Sequence, residues 1–328
     1  MRRVLVTGAN GFVGRTACAW LRRSGFEISV ALRDAVPSPD STARVIRIPC
    51  IDGSTNWTDA LEGCDYVLHL AGMAHVADDR PETVLQCRRV NIDGTLNLAR
   101  QASLEGVARF LFVSSVKVMG EGRAEPYREE EEPAPAGAYA QSKKEAEDGL
   151  RAMAAETAME IVILRPPLVY GPGAKANVVR LIRAAERGWP LPRAAFSNRR
   201  SFIYLENLAD AIGACLLAPQ AAGKTYFLSD GLDFSTADFM AAFARVARGE
   251  DRISALPGIL EWIVAKASGR STALRAFSAS LCVDTAAIRR DLGWQPPFTP
   301  TEGLRRTLDW YRQGRASSVG ARLEMGAA

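Results

Sequence analysis

Val4-Leu-Val-Thr-Gly-Ala-Asn-Gly-Phe-Val-Gly14 is the stretch that decides the fold of this chain. Its first residues form an apolar run that predicts a buried parallel strand, and the residues after it have the spacing of an amphipathic helix. Between them, Gly8 permits a tight turn, Gly11 lets the backbone approach a pyrophosphate, and Gly14 allows the helix to pack closely on the strand. This order of strand, glycine turn and helix predicts a dinucleotide site with phosphates at the start of the helix.

The predicted cofactor site extends to the carboxyl ends of the neighbouring strands, where doubly wound sheets bind their ligands. An ordinary strand-to-helix turn is the alternative, although such a turn rarely needs three glycines at this spacing. Asp52 follows the third predicted strand and is a candidate for contact with the adenine end. The residues that we expect around the dinucleotide in this region are Gly8, Asn10, Gly11, Phe12, Val13, Gly14, Arg33, Asp52, Leu70, Ala71 and Gly72.

Two arginines bear on the kind of dinucleotide. A site for NAD usually has a carboxylate at the end of the second strand, where it binds the ribose 2′-hydroxyl. In this chain the predicted strand 28–32 runs into Arg33, and Arg15 follows the glycine turn. We therefore expect NAD(P) with a preference for NADP. The alternative is that both arginines are solvated and that Asp34 binds the ribose.

The composition is that of an ordinary globular protein, with 48% hydrophobic and 24% charged residues in a chain of 328. The net charge of +4 is spread along the chain, so no nucleic-acid partner is expected. Six dispersed cysteines and two histidines predict neither a disulfide framework nor a metal site. The first strand leaves no room for a signal peptide, and no apolar run has the length of a membrane span. We therefore expect a cytoplasmic protein with no membrane association.

The remaining patterns predict alternating strands and helices. Strands are expected at 45–48, 66–70, 110–113 and 202–204, and helices at 12–24, 81–105, 138–156, 178–187, 206–217 and 301–311. The apolar stretch 259–267 reads as a packed helix. His69 is expected to be buried in its strand rather than catalytic, whereas His75 either lines the pocket or is a solvated loop residue. Asn91 is retained as a supporting residue.

The segment 120–137 is acidic and rich in proline, which predicts an irregular loop. Its four consecutive glutamates, 129–132, are expected to be a solvated face. A loop of this length commonly covers a site.

Tyr139 and Lys143 follow this loop on a predicted helix and lie one turn apart on the same face. An unperturbed tyrosine has a pKa of about 10, which is too high for a base at neutral pH. A nearby ammonium and the positive charge of an oxidised nicotinamide favour the phenolate, so we expect the pKa of Tyr139 to be lowered. Ser115, at the carboxyl end of the fifth strand, is expected to bind the reacting oxygen beside Tyr139.

These motifs together resemble the extended short-chain dehydrogenase/reductases, in particular the NAD-dependent epimerase/dehydratase family. The resemblance covers nearly the whole chain, through Thr7-Gly-Ala-Asn-Gly-Phe-Val-Gly14, Ser114-Ser115, Tyr139 to Lys143 and Leu164-Arg-Pro-Pro-Leu-Val-Tyr-Gly-Pro172. It implies that Tyr139 is the catalytic acid and base, that Ser115 is its partner, and that Lys143 binds the nicotinamide ribose. Tyr139 and Lys143 thereby join the expected cofactor contacts.

The same resemblance implies a substrate diphosphate. Arg200 matches the family arginine that binds it, and Asn177 is similar to a further phosphate contact. Surface charge is the alternative for Arg200. Family dehydratases carry threonine followed by Asp-Glu where this chain has Ser115-Val116-Lys117, so 4,6-dehydration is disfavoured. Lys117 is expected to contact a substrate group, with a solvated lysine as the alternative, and Met119 replaces a frequent tyrosine.

The expected fold is an α/β Rossmann-type doubly wound parallel sheet with a smaller C-terminal α+β substrate domain. Residues 1–165 form the cofactor domain, with 201–222 returning to it; 166–200 and 223–316 form the substrate domain, and 317–328 a frayed tail. The predicted enzyme acts at C4 of a UDP-linked hexose as a 4-keto-reductase or 4-epimerase. A reductase of non-sugar carbonyls and a non-catalytic nucleotide sensor are the alternatives. By analogy, helices 81–105 and 138–156 are expected to form a homodimer interface.

Overall fold

The computed structural model describes residues 2–33, 42–74, 79–123, 125–174, 177–187, 198–248 and 279–325. Three sequence predictions fall outside these ranges: the ribose role of Asp34, the pocket role of His75 and the packed helix at 259–267.

A seven-stranded sheet forms the centre of the molecule, and every hydrogen-bonded pair of neighbouring strands in it is parallel. Its strands are β1 (Arg3–Thr7), β2 (Glu27–Leu32), β3 (Arg44–Arg47), β4 (Tyr66–His69), β5 (Arg109–Val113), β6 (Glu160–Arg165) and β9 (Thr225–Phe227). The spatial order is β3-β2-β1-β4-β5-β6-β9. The chain moves outward on one side of β1 and then continues from β4 on the other, which creates the crevice where such folds bind ligands.

Helices cover both faces of this sheet because successive strand residues point to opposite sides. One face packs against α1 (Phe12–Arg23) and α7 (Leu205–Leu217). The other face packs against α2 (Thr58–Leu61), α4 (Gly94–Leu104) and α5 (Gly137–Glu156). In β1, for example, Val4 and Val6 join the first core and Leu5 joins the second. The predicted Rossmann-type fold is confirmed.

The long helix predicted at 81–105 is divided into three parts. It consists of α3 (Pro81–Cys87), a π-helical segment (Arg88–Asp93) and α4. Such π segments are rare and occur frequently at functional sites. Here the segment contains Asn91, which is buried.

A second, smaller unit contains a three-stranded sheet with its own aromatic core. The sheet has the order β10-β8-β7, from β7 (Leu168–Tyr170), β8 (Arg200–Tyr204) and β10 (Asp233–Phe234). Helices α6 (Asn177–Arg187), α8 (Thr236–Arg248) and α10 (Pro300–Met325) contribute to this core. Phe202 of β8 and Phe239 of α8 stack with their ring centroids 4.0 Å apart.

The boundary between the two units differs from the predicted one. The prediction that residues 202–204 return to the main sheet is wrong, since β8 pairs with β7 and β10. The seventh strand of the main sheet is β9, and α9 (Ala286–Leu292) also packs on that side through Ile288. Helix α7 does pack against α1, as the return to the cofactor domain requires. The last helix continues to Met325, beyond the predicted start of a frayed tail at residue 317.

The acidic loop is attached to the structure at several points. Tyr127 is buried and its N–H donates to the carbonyl of Cys282 at 2.9 Å. Glu129 is half-buried, and its carboxylate accepts the N–H of Phe227 on edge strand β9 at 2.9 Å. Glu131 forms an ion pair with Arg123 at 2.6 Å. The prediction of a uniformly solvated glutamate face is therefore wrong, because Glu129 and Glu131 both have defined partners. Within the described ranges, no helix is long and apolar enough to cross a membrane.

Candidate active site

The glycine turn lies at the carboxyl end of β1 and has the close contacts that its sequence predicts. Gly8 has a φ of +71°, and a Cβ there would lie 2.8 Å from the backbone nitrogen of Ala71. A Cβ on Gly14 would collide with the carbonyl oxygen of Gly8. Gly11 is exposed and its N–H donates to Gly8 O at 2.9 Å. The turn therefore packs tightly on its inner side and leaves backbone accessible at its tip.

The start of α1 can bind an anion. Gly11 is its N-cap, no side chain caps it, and its first turn contains no acidic residue. The first N–H groups of a helix have no intrahelical acceptor, and the helix dipole adds partial positive charge there. Phe12 and Val13 are half-buried in this first turn and follow Asn10. These features fit the pyrophosphate of a dinucleotide.

The end of β4 forms the other side of the crevice. Leu70 and Ala71 are half-buried, and Gly72 is exposed. A Cβ on Gly72 would lie 3.0 Å from Asn91 Oδ1 and 3.3 Å from Lys143 Nζ. The absence of a side chain at this position therefore leaves the crevice open beside Lys143, where the resemblance puts the nicotinamide ribose.

Asn91 connects this crevice to the helix that carries Tyr139 and Lys143. Its Oδ1 accepts the N–H of Met73 at 2.8 Å, and its Nδ2 donates to Ser142 Oγ at 2.9 Å and to Met73 O at 3.2 Å. Ser142 in turn donates to the carbonyl of Tyr139 at 2.8 Å. Asn91 thus fixes the position of α5 relative to the loop after β4, which is the supporting role expected of it.

Ser115 and Tyr139 are brought together although 24 residues separate them in the sequence. Ser115 is the N-cap of a short 3₁₀ helix (Val116–Met119) directly after β5, and Tyr139 is the third residue of α5. Burial raises the pKa of Tyr139, whereas its hydrogen bond with Ser115 acts in the opposite direction. Desolvation of the phenolate therefore outweighs any lowering by Lys143 in the protein itself, and the lowering expected from an oxidised nicotinamide stays a prediction.

Lys143 is buried beneath Tyr139. Its Nζ donates to the carbonyl of Val113 at 3.0 Å and lies 4.5 Å from the centroid of the Phe112 ring. Burial lowers the pKa of Lys143 to about 8, and Glu147 acts against this change. The ammonium is thus directed toward the end of β5, between Ser115 and Gly72.

His69 is a core residue, as expected. It is fully buried between Thr7 and Thr95, whose hydroxyls lie 2.7 and 3.0 Å from its Nδ1 and Nε2. Burial and then the charge of Lys143 lower its pKa to about 3. The imidazole is therefore neutral at physiological pH and stacks on Phe112.

Two predicted contacts for the adenosine half lie on one side of the crevice. Arg33 is exposed at the carboxyl end of β2, and Arg15 donates to Asn10 O at 3.1 Å.

Asp52 is buried, and Arg89 contacts its Oδ2 at 2.6 Å. That bond, followed by bonds from Cys50 and Ser54, holds the pKa of Asp52 well below its usual range. Asp52 thus stabilises the loop after β3 through its side chain.

The predicted substrate residues Lys117 and Arg200 share one carboxylate. Glu121 lies 3.4 Å from Lys117 Nζ and 3.8 Å from Arg200 Nη2. Arg200 is buried and also donates to the carbonyl of Ala279 at 2.7 Å, whereas the Lys117 side chain is half exposed. Burial lowers the pKa of Arg200, and Glu121 opposes this. Asn177 is the first residue of α6.

The sequence analysis did not identify Glu121, Glu147 or Arg165. Glu147 is four residues after Lys143, and its carboxylate binds Arg165 at 2.6 Å in the interior. Arg165 also contacts Met119, with 3.2 Å between Nη1 and Sδ. The i, i+4 spacing of Lys117 with Glu121, and of Lys143 with Glu147, is the signal that could have indicated two of these residues.

Known proteins are similar to this chain over most of its length. The family model for the NAD dependent epimerase/dehydratase family matches residues 4–228. The chain is 37% identical over 317 residues to a UDP-glucose 4-epimerase of Vibrio cholerae, which covers 95% of this chain and 96% of that protein. It is 28% identical to a 2-alkyl-3-oxoalkanoate reductase of Stenotrophomonas maltophilia over 93% of this chain and 98% of that protein.

Among solved structures, MoeE5 in complex with UDP-glucose and NAD is similar with a TM-score of 0.76 and 26% identity, over 95% of this chain and 99% of that one. The UDP-glucuronic acid 4-epimerase of Bacillus cereus in complex with NAD has the same fold, with a TM-score of 0.75 and 21% identity over 95% and 96% of the two chains. The chain therefore belongs to the NAD-dependent epimerase/dehydratase family and is an enzyme of that family.

Proposed function

We propose that this enzyme interconverts the C4 epimers of a UDP-linked hexose. The observation that carries the proposal is the convergence of Ser115, Tyr139 and Lys143 at the end of β5, beside the glycine turn. The identity of 37% to a UDP-glucose 4-epimerase across nearly the full length of both chains supports this activity over others of the family.

The three residues have distinct roles in this proposal. Tyr139 accepts the proton of the sugar C4 hydroxyl and later returns it, while Ser115 binds the same oxygen. Lys143 binds the nicotinamide ribose and stabilises the phenolate when Tyr139 is deprotonated. NAD held by the glycine turn and Lys143 would supply a reversible hydride acceptor for C4, so the overall reaction would involve no net oxidation. For inversion at C4, the 4-keto sugar must rotate in the pocket so that the hydride returns to the opposite face of the sugar.

Arg200 and Asn177 are the proposed contacts of the substrate diphosphate. A guanidinium binds phosphate oxygens through several parallel hydrogen bonds, and burial strengthens such bonds. Lys117, beside Ser115, is proposed to contact a sugar hydroxyl. Because Val116 and Lys117 occupy the positions of the dehydratase carboxylates, the site has no acid there for expelling a C6 hydroxyl.

We infer that the cofactor is NAD, as in the structures of MoeE5 and of the Bacillus cereus epimerase. An epimerase recycles its cofactor and gains nothing from the reducing pool that NADP(H) supplies. Arg33 supports the opposite preference, which would accompany a 4-keto-reductase. Equilibrium binding of both dinucleotides distinguishes the two: we expect NAD to bind at least about tenfold more tightly, which corresponds to about 1.4 kcal/mol.

The activity is tested by incubating the enzyme with UDP-galactose and, separately, with UDP-glucose. Each should produce the other without a net change in nicotinamide absorbance. Stoichiometric consumption of NADPH with a 4-keto sugar would instead identify a reductase. The Arg200→Ala variant should raise KM for the UDP sugar; an unchanged KM would contradict the diphosphate role and favour a carbonyl substrate without phosphates.

A further inference from the structure

A fully buried ion pair lies behind the candidate active site. Arg165 donates to Glu147 from Nη2 at 2.6 Å and from Nε at 3.1 and 3.2 Å to the two carboxylate oxygens. The exposed fractions of the two side chains are 2% and 0%. Arg151, at the surface end, also contacts Glu147 at 2.8 Å.

The pair connects the two elements that carry the catalytic residues. Glu147 is on α5, one turn beyond Lys143 and two turns beyond Tyr139. Arg165 ends β6, and the carbonyl of the following residue, Pro166, accepts the N–H of Val116 at 3.0 Å. The Arg165 guanidinium also contacts Met119, at the end of the 3₁₀ helix that begins after Ser115.

Stability alone does not account for a pair in this position. Transferring two charges from water to the interior costs several kcal/mol per ion, and apolar residues of similar volume often give equal or greater stability. The Glu147 carboxylate of this pair, one turn from Lys143, can instead influence the protonation of that lysine.

Glu147 lies one helical turn from Lys143 on α5, and its charge opposes the effect of burial on that lysine. From β4, Lys143 faces His69, which is neutral; from the π segment it faces Asn91, and from β5 the carbonyl of Val113 and the Phe112 ring. Its own helix supplies Tyr139 and Glu147, and Arg165 lies beyond the carboxylate. Burial lowers the pKa of Lys143, and Glu147 limits that change.

We propose that Glu147 and Arg165 are positioning residues of the active site: Glu147 keeps Lys143 charged, and Arg165 fixes Glu147 together with the turn after Ser115. The inference rests on the proposed roles of Lys143 and Tyr139. It requires that removing the Glu147 carboxylate alter the protonation of Lys143 as well as the stability of the fold.

The test measures the pH dependence of NAD affinity and of turnover in four variants. Glu147→Gln removes the charge and keeps an acceptor for Arg165. The single variant leaves the buried Arg165 guanidinium without its counter-charge, which can destabilise the fold. The double variant Glu147→Gln/Arg165→Met removes both charges and therefore preserves folding. Asp148→Asn, an adjacent exposed position on α5, is the matched control. Arg165→Met alone separates the effect of losing the guanidinium from that of losing the carboxylate.

In Glu147→Gln and in the double variant, NAD affinity and kcat should begin to decline at a pH about one unit lower than in the wild type. The reason is that a nearby opposite charge changes a pKa by about 1–3 units. KM for the UDP sugar should remain within about twofold, because Arg200 is untouched. In Asp148→Asn the pH midpoint should be unchanged, whereas in Arg165→Met it should also fall, because the buried Glu147 carboxylate then loses the guanidinium that keeps it ionised.

An unchanged midpoint in both variants that lack the carboxylate, or an equal change in Asp148→Asn, would overturn the inference. Failure of the proposed function is distinguishable from this outcome. It would appear as a wild-type enzyme without epimerase activity, whereas the pH dependence of NAD binding would still report on Glu147.

Discussion

At the scale of single residues, burial determines the protonation of the candidate active site. It raises the pKa of Tyr139 and lowers that of Lys143 to about 8, so burial opposes the charged form of both groups, although Lys143 stays mostly protonated at neutral pH. A bound oxidised nicotinamide would add the positive charge that the phenolate requires. The spacing of Tyr139 and Lys143 predicted that they share one face of a helix, but the burial that raises the pKa of Tyr139 depends on packing between distant segments.

Replacing Tyr139 with phenylalanine removes the proposed acid and base while preserving the ring. We expect kcat to fall by at least about a hundredfold, the usual contribution of a positioned acid or base. NAD affinity should change little, because Lys143 and the glycine turn remain. Steady-state kinetics and NAD titration measure the two quantities; retention of most of the turnover would contradict the assignment.

His69 predicts a defined acid sensitivity. Its pKa is about 3 in the folded chain and about 6.5 when unfolded. The unfolded state therefore binds more protons between these values, and the free energy of unfolding should fall as pH decreases through this window, by up to about 1.4 kcal/mol per pH unit from this group. Urea unfolding at several pH values measures the slope, which should be smaller in His69→Gln. An equal slope in both proteins would exclude His69 as the cause.

At the scale of elements, the glycine turn is the part that the sequence determines most completely. Gly8 and Gly14 face backbone atoms that leave no space for a Cβ, so their identity is dictated locally. The partner sheet of β8 could not be predicted in the same way, because a short apolar strand has the same pattern in either sheet. The π segment around Asn91 likewise has no signal in hydrophobic periodicity.

The Gly14→Ala substitution should destabilise the fold strongly. The added methyl would collide with the carbonyl of Gly8 and the backbone of Ala9, and overpacking of this kind costs about 1–3 kcal/mol or more. In Gly53→Ala, the control, the new methyl would have only an ordinary contact 3.5 Å from Asp93 Cβ. Thermal unfolding should show a lower Tm for the first variant and little change for the second; equal effects would contradict the packing role.

Glu129 and Glu132 of the acidic loop differ in their contacts, so their substitutions should differ in their effect on stability. Glu129→Ala removes the acceptor of the Phe227 N–H on edge strand β9, so we expect a loss of about 1–3 kcal/mol in the free energy of unfolding. Glu132→Ala, at an exposed position, should remain within about 0.5 kcal/mol of the wild type. Chemical denaturation of both variants measures this, and equal stabilities would support a solvated loop instead.

At the scale of the whole molecule, two packed cores form the walls between which cofactor and substrate would lie. The first core surrounds the parallel sheet, and the second combines aromatic residues of β7, β8 and α8 with aliphatic residues of α6 and α10. The motifs predicted the first core and the existence of a second unit. The pairing of Glu121 with Arg200 could not be predicted, because it requires β8 to lie beside the turn after β5.

The predicted homodimer remains to be tested. Helix α3 exposes Val84 and Leu85, with 45% and 66% of their surfaces accessible, and Arg88 pairs with Glu145 of α5 at 3.3 Å. Burying these apolar residues against a second copy would remove them from water. Light scattering at micromolar concentration should give a dimer, and Leu85→Glu should give a monomer. A wild-type monomer would contradict this interface.

The central claim is that one site removes a hydride from sugar C4 and returns it to the same carbon. UDP-galactose with deuterium at C4 tests this most directly, with the product analysed by NMR and mass spectrometry. We expect UDP-glucose that retains deuterium at C4, because the label would stay on the bound cofactor between the two transfers. Loss of the label to solvent, or no conversion at all, would contradict it.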